Sequence, residues 1–331
     1  MKSRVAARLG WAFLVVWATL TLAFLVNHVL PADPARMVAG AQARPQEVEK
    51  IRQQLHLGEP LIVQYGIFLR RLVHPTGASA GAPGHETCAG PAAVHLDLGK
   101  SYQQRRPVVA ILGERLPRTL LLAFAAILVQ VILGISLGVL AAARRGTAVD
   151  GLAVGISLVG TSAPTFMLGL FLQLVFAKGL KILPLDGYGA TAIDHLVSVV
   201  LPALTLGIFG AALYTRLTRD EMLGALSQDY VRTARAKGLG RAGVLRHAFR
   251  NALVPIVTVI GLDVGTLVGG AAVTETLFRW PGLGSIAVTS LLDRDGPLLM
   301  GTVLVTAVGV VIASIGVDVA YLILDPRVRR R

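Results

Sequence analysis

Apolar residues arrive in this chain as long blocks nearly free of charge, and that patterning constrains the fold more than any other feature. A helix that crosses a bilayer needs about 20 mostly apolar residues. Six stretches meet the requirement: 9–30, 120–142, 152–177, 196–217, 253–273 and 298–322. The third contains Pro164, and the fifth contains Asp263 with several glycines. Both are tolerated in a bundle, where neighbouring helices satisfy freed backbone groups. The reading is an all-α polytopic membrane protein with six transmembrane helices. Charged residues make up 15% of the chain, against about 25% in soluble domains. That disfavours a soluble enzyme or a disordered tail, and the single cysteine, Cys88, rules out an intrachain disulfide framework.

The net charge of +13 suggests a nucleic-acid partner until its distribution is read. With both termini inside, the cytoplasmic segments hold Lys2, Arg4 and Arg8, then Arg144 and Arg145, eight basic residues from Arg216 to Arg250, and four arginines after Asp325. The two short outer loops hold only Lys178, Lys181, Arg279 and Arg294. Seventeen against four sets both termini in the cytoplasm. The first outer segment, 31–118, holds the remaining basic residues, but loops of that length are largely exempt from the rule. The surplus is therefore a topology signal with a share of anionic-lipid contact, and no nucleic acid is expected. The basic start and apolar run of residues 1–30 exceed a signal peptide's core and read as a retained first helix. The charge logic and the absence of transit-peptide character point to a bacterial-type plasma membrane.

The outer segment reads as folded. Val48, Ile51 and Leu55 form one helical stripe after Pro45. Gly58 stops that helix, and Pro60 starts another with Ile62, Tyr65, Leu69 and Leu72 or Val73 near one face. Residues 75–93, rich in Gly, Ala and Pro, read as a flexible insertion. His85, Cys88 and His95 fit no common ligand spacing, so no metal site is assigned.

Two motifs mislead. Gly99-Lys100-Ser101 ends like a phosphate loop, but Val94 stands where the leading glycine belongs. Residues 238–243 spell GxGxxG, yet they follow a polar helix rather than a buried strand. No HExxH, paired-carboxylate site or serine elbow is present, so covalent chemistry is not expected of this chain.

The loop 218–252 carries the most information. Residues 229–237 read as a short helix stopped at Gly238, and a second helical piece from Gly243 leads back toward the membrane at Leu253. Thr233, Ala234 and Ala236 beside Arg232, Arg235 and Lys237 give a low-profile helix with a basic flank. Such a surface suits insertion into a cleft on another protein. A solvated positive-inside loop would explain the charge, but not the helix–glycine–helix punctuation.

The run Asp229-Tyr230-Val231-Arg232-Thr233-Ala234-Arg235-Ala236-Lys237-Gly238-Leu239, with residues 246–255, closely resembles the coupling loop of ABC importer permeases. The resemblance is to the B-type subunit of the dipeptide/oligopeptide/nickel branch. Leu30-Pro31-Ala32-Asp33-Pro34 resembles its LPGDP, residues 96–102 its GDLG-S stretch, and Arg115-Leu116-Pro117-Arg118-Thr119-Leu120 its RLPxTL. Residues 275–284 and 324–327 match its later landmarks. The chain departs from the general importer signature in having Arg232 where a glutamate stands, and in the length of the 75–93 insertion.

The resemblance implies a type I ABC importer transmembrane fold: a first helix at 1–30, an extracytoplasmic segment at 31–118, a five-helix core at 119–322 and a basic tail at 323–331. It implies a C-type permease partner, two ABC ATPase subunits that use ATP and Mg, and an extracytoplasmic binding protein. No cofactor is then bound by this chain. The 229–239 helix would rest on an ATPase, with Gly238 at the turn and Arg232, Arg235 and Lys237 as polar anchors, while Phe249 and Leu253 pack the loop on helix five. Di- and oligopeptides are the leading cargo; nickel chelates, glutathione and opine- or sugar-like solutes stay open. An intramembrane acid is a functional candidate by default. Asp263 either lines the pathway or makes an interhelical hydrogen bond, and Asp318 reads as a structural pairing. Gly265 and Gly269, four apart, fit close approach at the subunit interface. An ion-coupled secondary transporter and a membrane scaffold are the rival classes. The secondary transporter is disfavoured because no internal repeat is evident.

Overall fold

The computed structural model describes residues 2–29, 34–40, 42–75, 85, 87–90, 94–269 and 271–324, with the side chains of 2–7, 9, 27–29, 317, 318 and 320–324 set aside. Most of the LPADP run, most of the 75–93 insertion and the tail from Asp325 lie outside the described residues, as does the side chain of Asp318. The helices in chain order are α1 (Lys2–Val29), α2 (Pro34–Ala39), α3 (Pro45–Gln54), α4 (Leu61–Leu72), α5 (Val108–Ala143), α6 (Ala148–Ser162) and α7 (Thr165–Leu172). After a π-helical run, Gln173–Gly179, come α8 (Ala192–Ser198), α9 (Val200–Leu226), α10 (Asp229–Ala236), α11 (Arg241–Val268), α12 (Ala272–Leu277), α13 (Leu283–Leu292) and α14 (Gly296–Leu324). Among the described residues, three short antiparallel strands, β1 (Val73–Pro75), β2 (Cys88–Ala89) and β3 (Val94–Asp97), pair in the order β1-β3-β2.

Among the described residues, four helices are long and apolar enough to cross a membrane: α5, the α8–α9 run Ala192–Leu226, α11 and the part of α14 up to Gly316. A fifth candidate is broken. The sequence suggests one span over 152–177, but α6 ends at Ser162 and α7 leaves it at a bend of 103°. Pro164 causes the break: it has no N–H to continue the ladder and drives the preceding residue out of the helical region. Ala163 accordingly sits at ψ 133°. The described apolar stretch of α1 runs from Gly10 to Val26.

The chain divides into two compact units. The first holds Met1–Pro117 and Gly282–Val308. Its core joins Val108, Ile111 and Leu112 of α5 to Leu283 and Ile286 of α13 and Leu298 of α14. The stretch resembling GDLG-S acquires a role here: the Ser101 hydroxyl donates to Asp295 Oδ2 at 2.5 Å, while the other carboxylate oxygen accepts from the Leu298 amide and caps α14. Arg71 Nε meets Asp97 Oδ2 at 2.7 Å. Burial pushes the Asp97 carboxyl up, but hydrogen bonds from Arg71, Thr87 and the Gly99 amide outweigh it and hold the group below its ordinary value. On α4, Tyr65 and Phe68 turn inward against Phe24. Ile62, expected on that face, is 81% exposed because it opens the helix one turn before the packed stretch.

The second unit holds Arg118–Pro281 and Gly309–Arg331. One cluster there gathers Leu122 and Ala126 of α5, Val199, Ala203 and Leu206, and Trp280. A second gathers Ala142, Tyr214, Met222, Ala248, Ala252 and Ile256, and it seats the segment that carries α10.

Candidate functional site

The helix α10 begins at Asp229 after Gln228 and ends with a Schellman turn. The Gly238 amide donates to Arg235 O at 2.9 Å and the Leu239 amide to Ala234 O at 3.1 Å. The turn needs a left-handed residue after the helix, and Gly238 supplies it at φ +84°. One side of α10 is seated: Val231 is 1% exposed and Ala234 half-buried. Everything else faces out. Asp229, Tyr230, Arg232, Thr233, Arg235, Ala236, Lys237, Gly238 and Leu239 are all exposed. Arg232 and Asp229 approach to 3.8 Å, but both are so exposed that the pair adds little to stability. A helix of two turns with one buried anchor is held by its ends and by α11, not by its own propensity. Leu239 lies over Gly243. Phe249 and Leu253, expected to pack the loop on helix five, are part of that helix, α11; Phe249 joins the cluster around Met222 of α9, and Leu253 is half-buried outside it.

Within the second unit a cavity of about 290 Å³ is lined by Gln130, Thr161, Thr165, Leu213, Asp263 and Thr266 among others. Asp263 Oδ2 accepts a hydrogen bond from the Tyr214 hydroxyl at 2.9 Å, an interhelical bond between α11 and α9. Pro164, the N-cap of α7, sets the flanking threonines Thr161 and Thr165 around the same space. A side-chain carbon at Gly265 would meet Ala313 at 3.7 Å and Val310 at 3.8 Å, ordinary contacts with α14. Gly269 ends α11 as its C-cap.

Residues 134–330 match the family model described as the binding-protein-dependent transport system inner membrane component, and residues 1–123 match its N-terminal companion. The chain belongs to that family. This permease is 38% identical over 99% of both chains to a putative peptide transport system permease protein of Brucella abortus. It is 38% identical to a probable D,D-dipeptide transport system permease protein of Escherichia coli, covering 96% of this chain and 94% of that one. A glutathione transport system permease protein of Shigella flexneri is 37% identical over 99% of each. In fold it is similar to a chain of the MetNI methionine ABC transporter in an inward-facing form, with TM-score 0.53, 21% identity, and 66% of this chain against 98% of that one covered. It is thus an inner-membrane permease of the ABC importer type, a component that works with partner subunits.

Four further contacts of the permease escaped sequence reasoning. Two family landmarks interlock: Thr119 Oγ1 donates to the fully buried Glu275 at 3.0 Å, and the Trp280 indole donates to Arg118 O at 3.1 Å. Gln130, also buried, donates to Leu206 O at 3.3 Å. Asp150, at the start of α6, takes Arg219 of α9 at 2.6 and 3.1 Å and accepts from the Gly146 amide. Counting Arg219 as one more loop charge hid that bidentate bond. Arg219→Met is expected to lower the melting temperature of the extracted chain, because Asp150 is left without its cation. Adding Asp150→Asn should recover part of the loss. Equal melting of the single and double variants would refute the pairing.

Proposed function

We propose that this chain is one half of a six-span membrane pathway, with α1 as the first span and both termini in the cytoplasm, where α10 transmits the state of an ATPase to the helices. The observation that carries the proposal is α10 itself: a short helix with one buried anchor, an outward face of small and basic residues, and a glycine stop. On this reading a C-type permease completes the pathway, two ATPase subunits bind ATP and Mg, and an extracytoplasmic binding protein delivers the solute. Tyr230, Thr233 and Ala236 enter an ATPase groove, and Arg232, Arg235 and Lys237 grip its rim. ATP-driven closure of the ATPases then favours one arrangement of the helices, through contacts that differ between the two states. The polar cavity at Asp263 lies on the solute's route.

Di- and oligopeptides are the proposed cargo, supported by the names of full-length relatives. Glutathione, itself a tripeptide, is the second reading, supported by the relative named for it.

Co-purification tests the coupling. No atom lies within 4 Å of a side-chain carbon added at Gly238, so Gly238→Val acts through the backbone alone. A β-branched residue at positive φ is strongly disfavoured, by about 1–2 kcal/mol, so the Schellman turn opens. Wild type extracted gently should bring down an ATPase pair and a second permease. Gly238→Val should keep the permease and lose the ATPases with their activity. Equal ATPase recovery by both would sink the reading.

A further inference from the structure

We infer that His74, His85, Cys88 and His95 form a zinc site that staples the hairpin of the first unit. Their ligand atoms all lie within 4.8 Å of one another. His85 Nδ1 is 3.4 Å from His74 Nε2 and 3.4 Å from His95 Nδ1. Cys88 Sγ lies 3.7 Å from His85 Nδ1 and 3.9 Å from His74 Nε2. A tetrahedral zinc ion with Zn–N of about 2.0–2.1 Å and Zn–S of about 2.3 Å holds its nitrogens about 3.4 Å apart, and nitrogen and sulfur about 3.6 Å apart. Four of the six ligand pairs thus lie within about 0.3 Å of the spacing of a coordination shell, and the other two within 4.8 Å.

The backbone explains the convergence. Pairing of β1 with β3 sets His74 directly opposite His95, and β2, on the other side of β3, brings Cys88 opposite Asp97. The His74 Nδ1 lies 3.1 Å from Arg71 O. Donation there leaves the Nε2 lone pair facing the cluster, the outer-shell arrangement that fixes a metal-ligating histidine. His95 is fully buried, so the cluster is roofed on one side.

One thiolate and three imidazoles form a borderline-soft tetrahedral set, which suits zinc over magnesium or calcium. Four protein ligands leave no open position, so the site is structural rather than catalytic. On binding, the Cys88 thiol gives its proton to solvent and its sulfur bonds to the metal. The site ties His74, ahead of the insertion, to His85 and Cys88 within it and His95 after it.

The test uses the full chain in detergent, carrying no histidine tag, stripped with chelator and titrated with cobalt(II) as a spectroscopic stand-in. One cobalt per chain is expected, with a thiolate-to-cobalt charge-transfer band and the intense d–d bands of a tetrahedral site, all displaced by one equivalent of zinc. Cys88→Ser should remove the charge-transfer band. His74→Ala should weaken cobalt affinity by more than the roughly 10–100-fold that losing an outer-shell partner costs. His95 is too buried to be a clean probe, so those two variants carry the test, with His56→Ala as a control that changes nothing. Absence of the charge-transfer band in wild type, or equal uptake by wild type and Cys88→Ser, would mean adventitious histidine binding only and overturn the site.

Discussion

Replacing Gly138 by leucine is expected to stop folded permease from accumulating, and even alanine there should lower its melting temperature measurably. The reason is how closely α5 and α9 approach. A side-chain carbon at Gly138 would lie 2.6 Å from Thr218 Cβ and 2.7 Å from the carbonyl oxygen of Thr215. Four residues earlier, Gly134 would place one 3.0 Å from Ala211 O. The seam is reciprocal, since Gly207 of α9 lies against Val129 of α5. A backbone carbonyl cannot rotate away as a side chain can, so the helices must separate. Overpacking of this kind costs about 1–3 kcal/mol even where side chains yield. In lipid, helix association rests on van der Waals contact and polar pairs rather than on expulsion of water, so lost contact along a whole seam is not compensated. Leucine adds three more carbons in the same place. Gly155→Ala in α6 is the control: nothing lies within 4 Å of its added carbon, and helix propensity should gain about 1 kcal/mol. Melting followed by fluorescence-detected size exclusion separates the two. Indistinguishable curves for Gly138→Ala and Gly155→Ala would refute the seam.

That seam also shows where sequence reasoning stops. Gly134 and Gly138 stand in the same four-residue spacing as Gly265 and Gly269, and spacing alone cannot rank them. Rank depends on which helix lies opposite. Apolar length, by contrast, is local, so the apolar parts of α5, α9, α11 and α14 were legible. But α5 starts 12 residues before its apolar stretch, α9 runs 9 past its own and α11 starts 12 before, because the helices continue through more polar turns. The stop of α10 at Gly238 was legible as well, because a Schellman turn is written in consecutive residues. Pro164 was visible, but whether a proline kinks a span or breaks it by 103° depends on what fills the gap. Three of the four proposed ligands, His85, Cys88 and His95, were in view too, but without His74 their spacing fitted no common ligand set. His74, His85, Cys88 and His95 lie eleven, three and seven residues apart, and only the pairing of three short strands makes them neighbours.

Trp280→Ala should destabilise the second unit by about 3–5 kcal/mol, the range for deleting a fully buried large side chain. Trp280 is 0% exposed, set among Leu122, Ala126, Val199, Ala203 and Leu206, with the Tyr188 ring edge-on at 4.9 Å. Tyr188 in turn stacks on His195 at 3.8 Å and lies under the Arg118 guanidinium at 4.8 Å. Removing the indole therefore empties one side of an aromatic stack and takes from the Arg118 carbonyl the bond it accepts beside its helical one. Trp280→Phe separates those losses. It keeps most of the volume but gives up the indole hydrogen bond, a cost of about 1 kcal/mol. Both variants should melt below wild type, alanine well below phenylalanine. Solute uptake per folded molecule should be unchanged in the phenylalanine variant, because the landmark run 275–284 serves as a fixed brace against Arg118 and Thr119. Unchanged melting with lost uptake would show instead that the brace moves during transport, and that the indole belongs to the moving part.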